Sequence, residues 1–204
     1  MSIGEDIKGV LFEMGSPVVI LRDGGNISGE SCILEINEQA TKPFIISYFK
    51  KSLFAYDTQA VSGDILALEN AQDKYLITTL NTESFESATI TKQGILYFCN
   101  TSGELTRSSG EVWNTFTYRK ELAWGTVREN CHSLFINPEF RNKMVDDVSS
   151  LTQLEDNELF LPSYVGAKIN DRYSPYSGEY YKVEVVNRYR YIGVDVCRLS
   201  KDTR

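Results

Sequence analysis

The sequence predicts a mainly β protein with a few short helices: a β-barrel or sandwich of antiparallel hairpins, α+β overall. One observation is a hairpin pattern written twice. Gly63-Asp64-Ile65-Leu66-Ala67-Leu68, a polar turn and Lys74-Tyr75-Leu76-Ile77-Thr78-Thr79-Leu80 are followed later by Gly166-Ala167-Lys168-Ile169, a polar turn and Glu179-Tyr180-Tyr181-Lys182-Val183-Glu184-Val185-Val186. Strands with one apolar side need a second sheet or a closed barrel to bury it. A second observation is the aromatic and β-branched run from Phe44 to Tyr56, a composition that favours extended chain. A third is size: 204 residues are enough to bury a core without metals or disulfide staples.

Taken in order, Ser2 with Glu5 three positions later matches a capping box, and Ile3, Ile7, Val10, Leu11 and Met14 share one helical face, so residues 2 to 14 read as a helix. Gly15 and Ser16-Pro17 stop it. Pro17 to Arg22 reads as a strand, Asp23-Gly24-Gly25-Asn26 as a turn, and Ser31 to Ile36 as the return strand. Residues 1–40 are therefore expected as a helix-and-hairpin appendage on a β-rich body of residues 41–204. That body is expected as one barrel or as two packed hairpin modules, 41–135 and 157–204, with a short helix between.

Lys50-Lys51-Ser52 interrupts the Phe44 to Tyr56 run, which reads as one long strand or as two joined by a bulge. After the Gly63-Asp64 hairpin, Asn81 to Glu86 carries a cap-like start and reads as a helical turn. Ala88 to Lys92 and Ile95 to Asn100 read as a hairpin around Gln93-Gly94. Thr101 to Gly110, with few apolar anchors, reads as an exposed loop, and Glu111 to Phe135 as strand. Pro138 to Val148 has proline at a helix start and Phe140, Met144 and Val148 four apart, which predicts a surface helix. An acidic polar connection, Gln153 to Glu158, leads to Leu159-Phe160-Leu161-Pro162, read as an edge strand, and the second hairpin runs on to Leu199. Ser200 to Arg204 read as a solvated or partner-bound tail.

Charge narrows the function classes. Lys and Arg total 21 against 28 Asp and Glu, a net charge of -7, opposite in sign to a protein that grips phosphates. The same sign suits a surface past which DNA must slide without sticking. Apolar stretches at Val18 to Leu21 and Leu159 to Leu161 are far shorter than the roughly 20 residues of a spanning helix, and the acidic start Glu5-Asp6 is unlike a secretory signal, so folding in a cytoplasm and no membrane partner are expected. Cys32, Cys99, Cys131 and Cys197 stand singly and read as buried thiols rather than a disulfide scaffold or zinc site.

No motif fixes a reaction. His132 is the single histidine, and its neighbour Cys131 would point away from it on a strand, so a structural histidine is the favoured reading. Asp146-Asp147 and Glu155-Asp156 read as solvated charge, and Asp156-Asn157-Glu158 lacks the glycine and distant glutamate of a calcium loop. Gly24-Gly25, Gly103 and Gly110 match no phosphate-binding loop and read as turns. Tyr173, Tyr176, Tyr180, Tyr181, Tyr189 and Tyr191, near Arg172, Arg188 and Arg190, could stack bases or sugars, with cross-strand packing and subunit contacts as the favoured reading. Catalytic, cofactor-binding and metal residues are expected to be none, and no cofactor is expected.

Gly63-Asp64-Ile65-Leu66 with Lys74-Tyr75-Leu76-Ile77, then Gly94-Ile95-Leu96-Tyr97-Phe98-Cys99-Asn100, and Ser177-Gly178-Glu179-Tyr180-Tyr181-Lys182-Val183 resemble small structural proteins of tailed bacteriophages, in particular neck proteins of the head-closure and head-tail-connector kind. The resemblance covers residues 61 to 100 and 160 to 204. It implies a non-enzymatic virion subunit: a β-barrel protein forming a homo-oligomeric ring between portal or adaptor and tail proteins, with DNA passing through the lumen without sequence-specific binding. Ser2 to Met14, Thr101 to Gly110 and Ser200 to Arg204 are then the expected contact segments. A phage tail or baseplate component is the alternative within virions. From another class, a carbohydrate-binding or carbohydrate-cleaving β-domain would use the C-terminal tyrosines with Trp113 or Trp124 as a platform.

Overall fold

The computed structural model describes residues 3–36, 48–136 and 157–203. Among these, helix α1 (Ile3–Met14) precedes twelve strands: β1 (Ser16–Leu21), β2 (Ile27–Ile36), β3 (Phe49–Ala55), β4 (Ile65–Leu68), β5 (Lys74–Phe85), β6 (Ala88–Phe98), β7 (Thr101–Asn114), β8 (Arg119–Ile136), β9 (Asn157–Pro162), β10 (Arg172–Ser174), β11 (Tyr181–Tyr191) and β12 (Val194–Lys201). They close into two six-stranded barrels, the first ordered β1-β2-β3-β6-β5-β4 and the second β7-β8-β9-β12-β11-β10. The chain divides accordingly into two compact units, Met1–Cys99 with Arg188–Val194, and Asn100–Asn187 with Asp195–Arg204.

In the first unit, Val18, Ile20, Cys32, Phe54, Ala60, Leu66, Tyr75, Ile77 and Leu96 form one buried cluster. Val18 and Ile20, two apart, share the inner face of β1, as period-2 geometry requires. Helix α1 buries Leu11 and stops where the Gly15 amide donates to the Leu11 carbonyl at 2.9 Å. A Cβ at Gly15 would lie 2.3 Å from that carbonyl oxygen, so only glycine fits this stop. In the second unit the core is Leu105, Cys131, Leu159, Leu161, Val165, Ala167, Tyr173, Val183, Cys197 and Leu199. Three hydroxyls sit inside it and satisfy one another: Tyr173 lies 2.6 Å from Ser133 and 2.9 Å from Thr101, which are themselves 2.9 Å apart.

The two barrels are one plan used twice. Read from β1 and from β7, the strand orders are the same. The rungs also correspond. Ile20 faces Leu66 and Leu21 faces Ile65 across β1 and β4, as Leu105 faces Tyr173 and Thr106 faces Arg172 across β7 and β10. Leu66 faces Tyr75 across β4 and β5, as Tyr173 faces Tyr181 across β10 and β11.

The strongest correspondence is a clamp. In the first barrel Arg22 Nε donates to Asp64 Oδ1 at 2.8 Å, and Arg22 Nη2 donates to Asp64 Oδ2 at 2.5 Å and to the Gln59 carbonyl at 3.0 Å. The Val61 amide donates to Asp64 Oδ2 at 2.9 Å. In the second, Arg107 Nε donates to Asp171 Oδ1 at 2.7 Å, and Arg107 Nη2 donates to Asp171 Oδ2 at 2.7 Å and to the Gly166 carbonyl at 2.9 Å. The Lys168 amide donates to Asp171 Oδ2 at 2.8 Å. Around each aspartate the backbone repeats as well. Gly63 and Ile77 amides bond the Ile77 and Asp64 carbonyls, as Asn170 and Val183 amides bond the Val183 and Asp171 carbonyls. The residue before each aspartate has positive φ, 93° at Gly63 and 70° at Asn170, a conformation glycine and asparagine adopt most easily. The duplicated hairpin seen in the sequence is therefore real, with its second copy headed by Asn170-Asp171. Gly166 instead follows the 3-10 turn Ser163–Val165, and Gly166 to Ile169 is not a strand.

The β class holds, and several elements differ. β1 and β2 are staves of the first barrel rather than part of an appendage. Asn81 to Phe85 continues β5, and the turn is Glu86-Ser87, both at positive φ, as a two-residue hairpin turn demands. β6 runs unbroken through Gln93-Gly94, because Gly94 answers a close approach and not a turn: a Cβ there would lie 2.6 Å from Ser52 Oγ. Thr101 to Gly110 is strand β7, not loop, with Thr101, Gly103 and Leu105 buried. β9 lies between β8 and β12 and is not an edge. Nor is the tail free: Asp202 has a fully buried side chain paired with Arg172 at 2.7 Å, and its amide bonds the Tyr180 carbonyl. Ser2, Phe44 to Ser47, the helix expected at Pro138 to Val148 and the acidic connection up to Asp156 lie outside the described residues.

Asp64→Ala and Asp171→Ala should each lower stability by about 2 to 3 kcal/mol, since each strands an arginine fork and a loop amide. Lys120→Ala, which removes an exposed pair with Glu111 at 3.5 Å, should cost under about 0.5 kcal/mol. Urea denaturation of the three variants checks this, and equal costs would deny the clamp its role. Gly103→Ala places a Cβ 2.5 Å from the Ser174 carbonyl oxygen and from the Tyr173 ring, and should destabilise by about 1 to 3 kcal/mol in the same assay.

Candidate functional site

The residues singled out for chemistry are dispersed. Cys131 is buried at 3% exposure while His132 is half-buried, consistent with opposite faces of β8, and His132 pairs with Ser102 across β7. None of the four cysteines is in a disulfide; Cys32, Cys131 and Cys197 are buried and Cys99 is half-buried. Desolvation pushes the thiols of Cys32 and Cys99 up to about 12 and that of Cys131 up to about 11. A thiol protonated throughout the neutral range is a poor nucleophile and metal ligand. Among the described residues no three His, Cys, Asp or Glu side chains gather as a metal site would need. Asp146-Asp147 and Glu155-Asp156 lie outside the described residues, while Asn157 and Glu158 belong to β9.

The C-terminal tyrosines divide: Tyr173 is 1% exposed and Tyr181 packs on Phe135 with centroids 5.1 Å apart, whereas Tyr176, Tyr180 and Tyr189 are 59%, 46% and 99% exposed. Arg172 lies 3.8 Å over the half-buried Trp124 ring and 4.9 Å over Tyr180 while also holding Asp202. Trp124 thus has its face covered by a cation of its own unit. Between α1 and β2 a polar hollow of about 200 Å³ holds Lys8, Glu30 and Asp57, but Lys8 is paired with Asp57 and Glu30 accepts from Thr58 Oγ1 and the Gln59 amide.

Among the described residues, two features combine exposed or hollow apolar surface with defined geometry, one in each unit. The first is the far end of the β7–β8 hairpin in the second unit. β10 pairs with β7 only at Glu104 to Thr106, and β9 pairs with β8 only at Leu134 to Ile136. From Ser108 to Asn114 and Arg119 to Trp124 the two strands pair with each other alone among the described residues, giving a ribbon. Its end is rich in exposed apolar side chains: Val112 58%, Trp113 56%, Phe116 94%, Tyr118 77% and Leu122 37%. The turn at 115–118 is nevertheless pinned. Asn114 Oδ1 accepts from the Phe116 and Thr117 amides at 2.9 and 3.3 Å, and Asn114 Nδ2 and Thr117 Oγ1 donate to the two Glu121 carboxylate oxygens at 2.8 and 2.7 Å. Those bonds from Asn114, then Thr117, hold the Glu121 carboxyl below its ordinary value. The rings are thus presented to water on a hydrogen-bonded turn, an exposed apolar cluster whose ordering is already in place.

The second feature belongs to the first unit. Ile36, Tyr48, Phe49, Lys50, Asp73, Tyr75 and Phe98 line a cavity of about 380 Å³. Phe98 lies 5.6 Å from Tyr48 and 5.6 Å from Tyr75, ring centroid to centroid. The Lys50 ammonium sits 4.8 Å from the Tyr75 centroid, and the Tyr75 hydroxyl donates to Asp73 at 3.3 Å. Burial raises the Tyr75 phenol above its ordinary value despite that cation.

Thr101 to Gly110, expected as a contact loop, is part of strand β7, and the exposed rings lie beyond it at 112–118. The available signal was Val112-Trp113 and Phe116 to Tyr118 flanking Asn114-Thr115, an apolar cluster on either side of a turn residue. No helix of the described residues is long and apolar enough to cross a membrane.

No protein-family model matches the chain, and no curated protein matches it. Among solved structures, the chain is similar to the K. pneumonia MrkH complex with c-di-GMP at 8% identity, covering 98% of this chain and 87% of that one with a TM-score of 0.16, a level at which the likeness carries no argument.

The buried thiols set a pH dependence. The folded values of Cys32 and Cys131, about 12 and about 11, lie above the unfolded value near 9, so the folded state holds protons that the unfolded state releases. Stability is therefore full below about pH 8 and falls as pH rises from about 9 towards 12. Urea midpoints at pH 7.5 and 10.5 should show the drop, and replacing Cys32 with Ala or Val should reduce the difference between them. A midpoint unchanged at pH 10.5 would contradict it.

Proposed function

We propose that this protein is a non-enzymatic assembly subunit that holds other subunits through the β7–β8 ribbon. The observation that carries the reading is the pinned aromatic end: Phe116 is 94% exposed on a turn whose backbone amides and carboxylate are already hydrogen-bonded. Exposed rings clustered on a rigid ribbon raise an aggregation hazard that a free monomer has no reason to keep. The cores support the same reading, since their polar groups serve structure: the Asp64 and Asp171 carboxylates hold arginines and loop amides, and the Thr101, Ser133 and Tyr173 hydroxyls hold one another.

The setting proposed is the virion of a tailed phage, with the chain as a neck or head-tail joining subunit in a ring around the DNA channel. The sequence resemblance to such proteins supports it, and so does the net charge of -7, which lets a phosphate backbone pass without adhering. A tail or baseplate position would use the same barrels and the same ribbon.

Phe116→Ala and Trp113→Ala should leave each barrel folded and weaken entry into the larger assembly by about tenfold to a hundredfold, the size of effect an aromatic anchor gives. Native mass measurement of the full chain, alone and with neighbouring structural proteins, reads this. A wild-type chain that stays monomeric in every mixture, or variants that assemble as wild type does, would contradict the proposal.

A further inference from the structure

We infer that the β7 edge at the end of the ribbon, Glu111 to Asn114, takes up an extended segment of another protein as a third strand. The inference rests on the assembly reading above and names the kind of contact. β7 meets β8 along one edge, and β10 takes the opposite edge only at Glu104 to Thr106. Past Arg107, which Asp171 holds, no strand pairs with that opposite edge among the described residues. The rungs Glu111 with Leu122, Val112 with Glu121, Trp113 with Lys120 and Asn114 with Arg119 follow one another without a shift. In such an antiparallel pair successive residues alternate, one exchanging both its backbone bonds with the facing strand and the next directing both away. Two of these four β7 residues therefore aim an N–H and a C=O outward, which is the template a further strand pairs with.

The residues leave this edge receptive. Sheet edges are commonly blunted by charge, proline or a bulge. At the same rungs β8 carries Arg119-Lys120-Glu121, three consecutive charges, whereas the centre of the β7 stretch is Val112-Trp113, two strand-forming residues. The bulge between Ser108 and Gly110 lies before the stretch and leaves its pairing regular. Val112 and Trp113 are 58% and 56% exposed and, being adjacent, stand on opposite faces of the ribbon. An added strand thus meets an apolar neighbour on each of its faces, so the segment that fits is uncharged and rich in β-branched residues. The bonds from Asn114 and Thr117 to Glu121 tie the end of the ribbon together, so the edge is in place before the segment arrives. Backbone bonds along the edge then hold the segment, and Val112 and Trp113 select it.

The probe is a capped hexapeptide of alternating threonine and valine, added to the full chain at saturation while amide hydrogen exchange is read residue by residue. In the chain alone, two alternate amides of 111–114 should exchange faster than the two bonded to β8. The peptide should slow that faster pair by roughly tenfold or more, the worth of one net hydrogen bond, and leave the other pair little changed. The same peptide with every amide N-methylated keeps its side chains but cannot lie against a strand edge, and should slow neither pair. Four amides equally slow in the chain alone would show the edge already filled and overturn the inference, as would equal slowing by the methylated peptide. If the unmodified peptide slows nothing while Phe116→Ala still weakens entry into the larger assembly, the inference falls and the assembly reading stands. If the peptide slows the outward pair while the full chain stays monomeric in every mixture, the assembly reading falls and the edge stands as a strand-binding site.

Discussion

The paired arginine and aspartate beside the closing strand pair is the constraint on which each barrel depends. To close, the chain must leave a long loop and enter a short strand, β4 or β10, that pairs back to the first strand of its barrel through only four or three rungs. Short pairing is weak by itself. The aspartate at the loop's exit ties an arginine, Arg22 just past β1 or Arg107 within β7, and a loop amide to one carboxylate, while its backbone locks the next strand in register. The carboxylates are nearly inaccessible, 4% and 2% exposed, and each is fully hydrogen-bonded, the condition under which a buried charge is tolerated. The same set of bonds at both closures, in the same register, makes the molecule two copies of one solution to barrel closure.

Much of this was legible in the residues. Glycine-led alternation at Gly63 to Leu68 and the aromatic return strands named the class and located the repeat. The repeat was displaced in its second copy because Asn170 can take the positive φ that Gly63 takes, while Gly166 is a glycine for a different turn. What failed to show were the polar and small residues with tertiary reasons. Thr101 looks like a loop residue until Ser133 and Tyr173 supply its partners, and Gly103 and Gly94 look like turns until the facing atoms, Tyr173 and Ser52, are seen to need the space. Asp202 looked like tail charge because the arginine it pairs with, Arg172, lies 30 residues away. Alternation cannot report any of these, since each depends on a contact distant in sequence.

Closing both sheets has a consequence for function. A closed barrel has no exposed ladder with which to recruit a partner strand, so interaction has to come from what projects beyond the staves or from hollows at their ends. The ribbon is a projection of this kind, and its end is apolar where the rest of the chain is acidic. Its turn is held by Asn114, Thr117 and Glu121, so the rings are displayed rather than collapsed onto the strand. On the proposed reading, these displayed rings are the place where another subunit is held.

The account stands or falls on whether the ribbon is a buried contact in the working assembly. Amide hydrogen exchange of residues 108–124, compared between isolated chain and assembled material, measures that directly. The account predicts that exchange at 111–122 is slower in the assembly than in the isolated chain, with β1 and β4 unchanged. A ribbon that exchanges equally fast in both states, or assembled material protected everywhere except there, would contradict it.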